Sequence, residues 1–249
     1  MASGTSVPLA AALGGWAPAL GIWALLALLA LVASLTLKPV SHEFGGQRRR
    51  LPARRLLTSR LAWAMVLLFG CQSATAYAQF GWLPTILRDG GLSAGQAGWM
   101  LAIVTGVSLP LTLLLPLAMR VTGHTPWLPV GFALLTITGW LGILLAPSMA
   151  PWLWAALLGV GSTVFTWVLA LLGQKSRTLP GTAALSGFVQ GLGYLLATAG
   201  PFGAGSLHEH TGSWTPALLS LILLAALTGI VGAAVNRPRV LEDDLHTAP

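Results

Sequence analysis

Seven long apolar runs organise the chain, near residues 14–37, 62–84, 94–117, 127–146, 152–173, 185–206 and 214–235. None contains Asp, Glu, Lys or Arg. Each is about 20 residues or more, enough at about 1.5 Å per residue to cross roughly 30 Å of hydrocarbon. The pattern predicts an all-α polytopic membrane protein with seven transmembrane helices. Segment 38–61 is the longest connection, rich in Arg and broken by Pro39, Gly45, Gly46 and Pro52. It reads as a basic linker after an outer segment and first span over 1–37. The connections near 85–93, 118–126, 147–151, 174–184 and 207–213 are short, which makes consecutive helices antiparallel neighbours. They predict a six-helix unit over 62–235. Trp82-Leu83-Pro84 is expected to close the second span, Pro147 and Pro151 to bracket a tight turn, and Pro180-Gly181 to lie in another. Residues 236–249, with Glu242-Asp243-Asp244, are expected to form a disordered tail.

Charge orients this array. Numbering the connections alternately puts twelve of the 13 Lys and Arg residues on one side and leaves only Arg88 on the other. Lys and Arg are retained on the cytoplasmic side, so the N-terminus is expected outside and the C-terminus inside the inner (plasma) membrane. Only 8% of residues are charged and 55% are hydrophobic, which excludes the ordinary soluble classes. The net charge of +7 lies next to spans and is not interleaved with aromatics on a soluble face, so nucleic acid is not an expected partner. The first 37 residues carry no charge, and positive charge follows the apolar run, unlike a secretory leader. Cys71 is the single cysteine and reads as a packing residue.

The spans contain no charged side chain, so candidate chemistry falls to neutral polar groups. Gln72, Ser73 and Tyr77 lie close together on the second span, with 73 and 77 at i, i+4. Gln190 and Tyr194 share the same spacing on the sixth, and Thr163, Thr166 and Trp167 cluster on the fifth. Gln offers both donor and acceptor, and Tyr an apolar body with a polar tip, which suits a small polar solute. The candidate substrate-binding set is Gln72, Ser73, Tyr77, Thr163, Trp167, Gln190 and Tyr194. The bland alternative for each is packing and hydrogen bonding between helices. Thr105, Ser108 and Thr112 form a further polar stripe. No cofactor or metal is expected, because His208-Glu209-His210 has no defined ligand geometry. No Gly-rich phosphate loop, catalytic triad order or HExxH supports an enzyme. Gly200-Pro201 is expected to kink the sixth span.

Several blocks resemble one transporter family. Arg60-Leu-Ala-Trp63, Leu68-Phe-Gly-Cys-Gln-Ser73, Tyr77, Trp82-Leu-Pro84 and Gly90-Gly-Leu-Ser93 are similar to helix seven and the start of helix eight of the cyanate/2-nitroimidazole transporters. Pro116-Leu-Ala-Met-Arg120-Val-Thr-Gly123 is similar to the inner-loop motif after helix eight. Leu185-Ser-Gly-Phe-Val-Gln190, Gly193-Tyr194, Ala199-Gly-Pro201 and Leu207-His-Glu-His-Thr-Gly-Ser-Trp214 resemble the eleventh helix and its outer loop. That family belongs to the major facilitator superfamily. The resemblance implies alternating-access transport of a small polar or anionic solute, such as cyanate or a nitroimidazole-like compound. It further implies that 62–235 is one six-helix half bundle, preceded by a single helix of the other half. Full members have about twelve spans, so the chain is expected to be a partial or truncated transporter. Its expected partners are the lipid bilayer, the solute, and either a separate N-terminal half or further copies of itself. The rival expectation is a non-transporting membrane subunit or a defective remnant.

Overall fold

The computed structural model describes residues 53–246 continuously, together with twelve positions between Gly14 and Val32. Ten of those twelve positions are helical; the rest of the expected first span, and residues 38–52 of the expected linker, lie outside the described residues. Residues 1–48 and 49–249 form two compact units, and the second contains the bundle.

After a short helical turn at Ala53–Leu56, Ser59 caps the first long helix, its hydroxyl accepting from the Ala62 amide. This helix, α1 (Arg60–Asp89), continues through Pro84, so the expected stop there is not observed. Pro84 removes a single backbone bond, and buried Leu83, Ile86 and Leu87 on either side hold the helix to its neighbours. The stop comes six residues later at Gly90, followed by Gly91 at a φ of +98° that other side chains rarely take. Ser93 and Gln96 then form a reciprocal capping box that starts α2 (Ala94–Thr122). The Gly90-Gly91-Leu92-Ser93 block is therefore a helix stop followed by a helix start.

The bundle continues with α3 (Trp127–Leu145), α4 (Pro151–Ser162) and α5 (Val164–Gln174), the last two separated only by Thr163. Next come α6 (Leu179–Ala197) and α7 (Ala199–Thr211), separated only by Thr198, and then α8 (Thr215–Val235). Pro180 lies inside the first turn of α6, where a missing N–H costs nothing, rather than in the preceding connection. The break at Thr198 follows from Pro201, whose ring and missing N–H disturb the turn before it, as expected from Gly200-Pro201.

Among the described residues five helices, counting Pro151–Gln174 as one, are long and apolar enough to cross a membrane. The expected seven are not reproduced as a count. The interrupted α6–α7 pair falls outside the five, and the first expected span lies mostly outside the described residues. The fold is nevertheless all-α and polytopic, as the periodicity predicts.

Helix α1 is central, packing against α6, α7, α8 and α2, while α3 bridges α8 and α4. Two apolar clusters occupy the two ends. One contains Met65, Phe69, Trp167, Leu171, Leu185 and Val189. The other contains Ala78, Leu83, Val104, Trp140, Leu158 and Leu218. Between Phe69 and Ala78 the buried residues of α1 include Gln72, Ser73 and Thr75, so a polar layer separates the two cores. Close helix approach depends on glycine there: a Cβ on Gly200 would collide with the Ala74 backbone of α1.

The expected disordered tail is instead a docked helix through His246, α9 (Leu241–His246). Leu241 is fully buried in the first apolar cluster, and its amide donates to the Lys175 carbonyl (2.8 Å). Glu242 accepts from the Ser176 hydroxyl (2.6 Å), the Arg177 amide (3.1 Å) and the Thr178 hydroxyl (3.2 Å). Burial alone would raise its pKa, but these hydrogen bonds outweigh burial and leave it below the ordinary value. Asp243 pairs with both guanidinium nitrogens of Arg177 (2.7 and 3.0 Å). Asp244 accepts from the Ser59 hydroxyl (2.6 Å) and the Leu61 amide (3.1 Å) at the start of α1. Lys175 is buried beside this helix and donates to the Arg237 carbonyl (2.6 Å); burial lowers its pKa to about 8. Polar residues that look solvated in sequence thus complete the caps of two helices.

Candidate functional site

The seven sequence-derived candidates separate into two groups. Tyr77 and Tyr194, from the middle of α1 and of the α6–α7 traverse, come together with ring centroids 6.3 Å apart. Both are exposed, at 46% and 37%. Tyr194 also meets Phe69 edge-on at 4.9 Å, and Phe69 contacts Phe165 of α5 at 6.1 Å. Gln190, one turn before Tyr194, is half-buried and donates from Nε2 to the Ser186 hydroxyl (2.6 Å). Three helices therefore present a face of aromatic bodies and phenol tips, with Gln190 beside it.

The second group points inward. Gln72 and Ser73 are buried, and Gln72 Nε2 donates to Ser73 Oγ (2.6 Å). Thr163 is buried at the α4–α5 break, its hydroxyl without a partner among the described residues. Trp167 is 1% exposed, lies in the apolar cluster and approaches the Gly232 position of α8. Its surroundings are those of a packing residue. The structure thus joins Tyr77 to Tyr194 across helices and keeps Gln72, Ser73, Thr163 and Trp167 away from the exposed face.

Both helix interruptions lie near the middle of their traverses, at Thr163 and Thr198. Discontinuous helices at this depth are the places where secondary transporters form solute and ion sites. Phe165, which joins the aromatic face, sits just after the first break and is absent from the candidate set. Gln79 is also absent from it, yet is 1% exposed and donates to Ser162 Oγ (3.2 Å). Its spacing of seven from Gln72 puts both amides on one side of α1, a signal readable from sequence.

His208 and His210 belong to the last turn of α7, not to a loop. His208 stacks on Trp214 (3.8 Å, 6°), whose indole donates to Asp89 (2.7 Å). His210 faces back to the Ser206 carbonyl (2.8 Å). Among the described residues no group of three or more His, Cys, Asp or Glu gathers to hold a metal.

No protein-family model matches the chain. It is 34% identical to the uncharacterized transporter YycB of Bacillus subtilis (strain 168), over 97% of this chain and 60% of that protein. It is 33% identical to the 2-nitroimidazole transporter of Escherichia coli (strain K12), over 96% of this chain and 61% of that protein. To the cyanate transport protein CynX of the same organism it is 28% identical, over 80% of this chain and 52% of that protein. The chain spans about three-fifths of the length of the first two relatives. Over almost all of its residues the chain, an all-helical bundle of apolar spans, is thus similar to part of the cyanate/2-nitroimidazole transporters.

Proposed function

We propose that this chain forms one half of a secondary transporter that moves a small polar or anionic solute, of the cyanate or nitroimidazole kind, by alternating access. The observation that carries the reading is the Tyr77–Tyr194 pair, exposed at mid-traverse beside two interrupted helices. Phenol hydroxyls can hydrogen-bond a small polar solute while the rings of Phe69 and Phe165 exclude water. Gln190 stands beside Tyr194 as a further donor and acceptor. Gln72, Ser73, Thr163 and Trp167 support this wall from behind.

The end that carries Arg60, Arg120, Lys175, Arg177, Arg237 and Arg239 is assigned to the cytoplasm by its positive charge. The opposing wall is assigned to an N-terminal half or to a second copy, in an inner membrane. A charged group for an anionic solute or for proton coupling belongs on that opposing wall, because these spans hold none. No enzymatic step enters the scheme.

Uptake of labelled cyanate into vesicles bearing the chain tests the proposal. Uptake above empty vesicles, lost in Tyr194→Ala, supports it. Uptake equal to empty vesicles favours the second reading, a non-transporting membrane subunit or defective remnant.

A further inference from the structure

At the basic end of the bundle, the start of α1 and the end of α8 flank a cleft of about 180 Å³. Arg60 of α1 and Arg239, just past α8, are its charged lining; Leu61, Ala64, Ala234 and Val235 complete it with apolar walls. Both arginines are exposed, and among the described residues neither guanidinium has a hydrogen-bond or ion-pair partner. Asp244 stands at the start of α1, but it accepts from the Ser59 hydroxyl and the Leu61 amide and does not line the cleft. The cleft therefore sets two positive charges beside apolar walls, with no carboxylate among its lining residues.

The apolar walls continue along the same two helices. A groove of about 430 Å³ lies among α1, the α6–α7 traverse and α8, and its lining includes Leu67, Cys71, Leu224 and Leu227. On α1, Ala64, Leu67 and Cys71 follow one another at steps of three and four residues. On α8, Ala234 and Leu227 are seven residues apart, and Leu224 lies three further back. These spacings put the cleft and the groove on one face of each helix. One seam between α1 and α8 is thus charged at its basic end and apolar beyond it.

We infer that this seam binds one anionic phospholipid, its phosphodiester held by Arg60 and Arg239 and an acyl chain lying in the groove. Guanidinium groups present paired donors that match phosphate oxygens. Basic hollows between transmembrane helices at the positively charged side suit anionic head groups. A zwitterionic phosphatidylethanolamine adds an ammonium group, and the cleft lining offers it no carboxylate. Free phosphate would meet the same two guanidiniums but gain nothing from the groove. Basic residues near span ends orient a membrane protein wherever they stand. Arg60 and Arg239 also share one hollow, which orientation alone does not require. The site is independent of the transport reading, since it concerns lipid binding alone.

Thermal unfolding of the purified full chain in non-ionic detergent tests the site, with phosphatidylglycerol compared with phosphatidylethanolamine of the same acyl chains. A ligand of the folded state raises the midpoint saturably. Phosphatidylglycerol should raise it and phosphatidylethanolamine should not. Arg60→Gln and Arg239→Gln should each increase the lipid concentration needed about fivefold, the worth of one basic residue at an anionic surface. Arg120→Gln, at the same end but outside the cleft, should leave the response unchanged. Equal wild-type midpoints in the two lipids would overturn the inference. So would folded Arg60→Gln and Arg239→Gln proteins that keep the full response, or an Arg120→Gln response weakened as much as theirs. Inorganic phosphate that reproduces the full rise would mark a free-anion site and overturn it too. Should a variant fail to fold, the wild-type comparison of the two lipids and phosphate still decides.

Discussion

At the scale of residues, Tyr77 and Trp167 have the same kind of sequence signal and opposite environments. Both are aromatic side chains set among polar neighbours in an uncharged span. Tyr77 emerges on an exposed face, while Trp167 is enclosed by α8 and the apolar cluster. Periodicity shows that residues share a side of a helix, but not which neighbouring helix covers that side. The partners that bury Trp167 lie over sixty residues away in sequence, so its role could not be read locally. The i, i+4 pair Gln190–Tyr194 was legible, and its meeting with Tyr77 was not. Two substitutions separate the roles. Tyr194→Phe removes one hydroxyl and should weaken solute binding by about 1 kcal/mol, roughly fivefold, with the unfolding midpoint unchanged. Trp167→Ala should cost about 3–5 kcal/mol of stability through the cavity it leaves, measured by thermal unfolding in detergent.

At the scale of elements, the breaks were partly visible and the docking was not. Gly200-Pro201 announces the α6–α7 interruption, because proline disturbs the turn before it whatever surrounds the helix. Pro84 does not end α1, because packing on both sides of it sustains the helix. Gly200 itself serves approach to α1: Gly200→Ala should push α7 away from Ala74 and cost about 1–3 kcal/mol in the same unfolding assay. The acidic run 242–244 looked like a solvated end because charged residues usually are. Its carboxylates instead find the free N–H groups at the starts of α1 and α6, contacts set only once the bundle assembles. The depressed pKa of Glu242 means that the folded chain favours its ionised form. Its contribution to stability is therefore present above the ordinary value of 4.5 and is lost as pH falls through the lower folded value. Amide exchange over 241–246 should accelerate across that acid range, and in Glu242→Gln it should be fast already at neutral pH. Lys175 has the opposite sign. Its folded pKa of about 8 lies below the ordinary 10.5, so stability should rise as pH increases between these values. The rise should be missing in Lys175→Met.

At the scale of the whole molecule, fold class and family likeness were legible because they rest on long, redundant signals. Seven uncharged runs and the ordered blocks from Arg60 to Trp214 both survive individual substitutions. The site was only half legible, because it depends on which faces of α1, α5 and α6 meet. The central claim is that the Tyr77–Tyr194 face lines an aqueous solute path. Cysteine substitution in a Cys71→Ser background, with a membrane-impermeant thiol reagent applied to membranes, tests that claim directly. Leu113→Cys serves as control, since Leu113 is 82% exposed on the outer helix α2, where a lipid contact is expected. Tyr77→Cys and Tyr194→Cys should react, and added cyanate should slow the reaction, while Leu113→Cys stays unlabelled. Tyr77→Cys and Tyr194→Cys as inert as Leu113→Cys would contradict the claim.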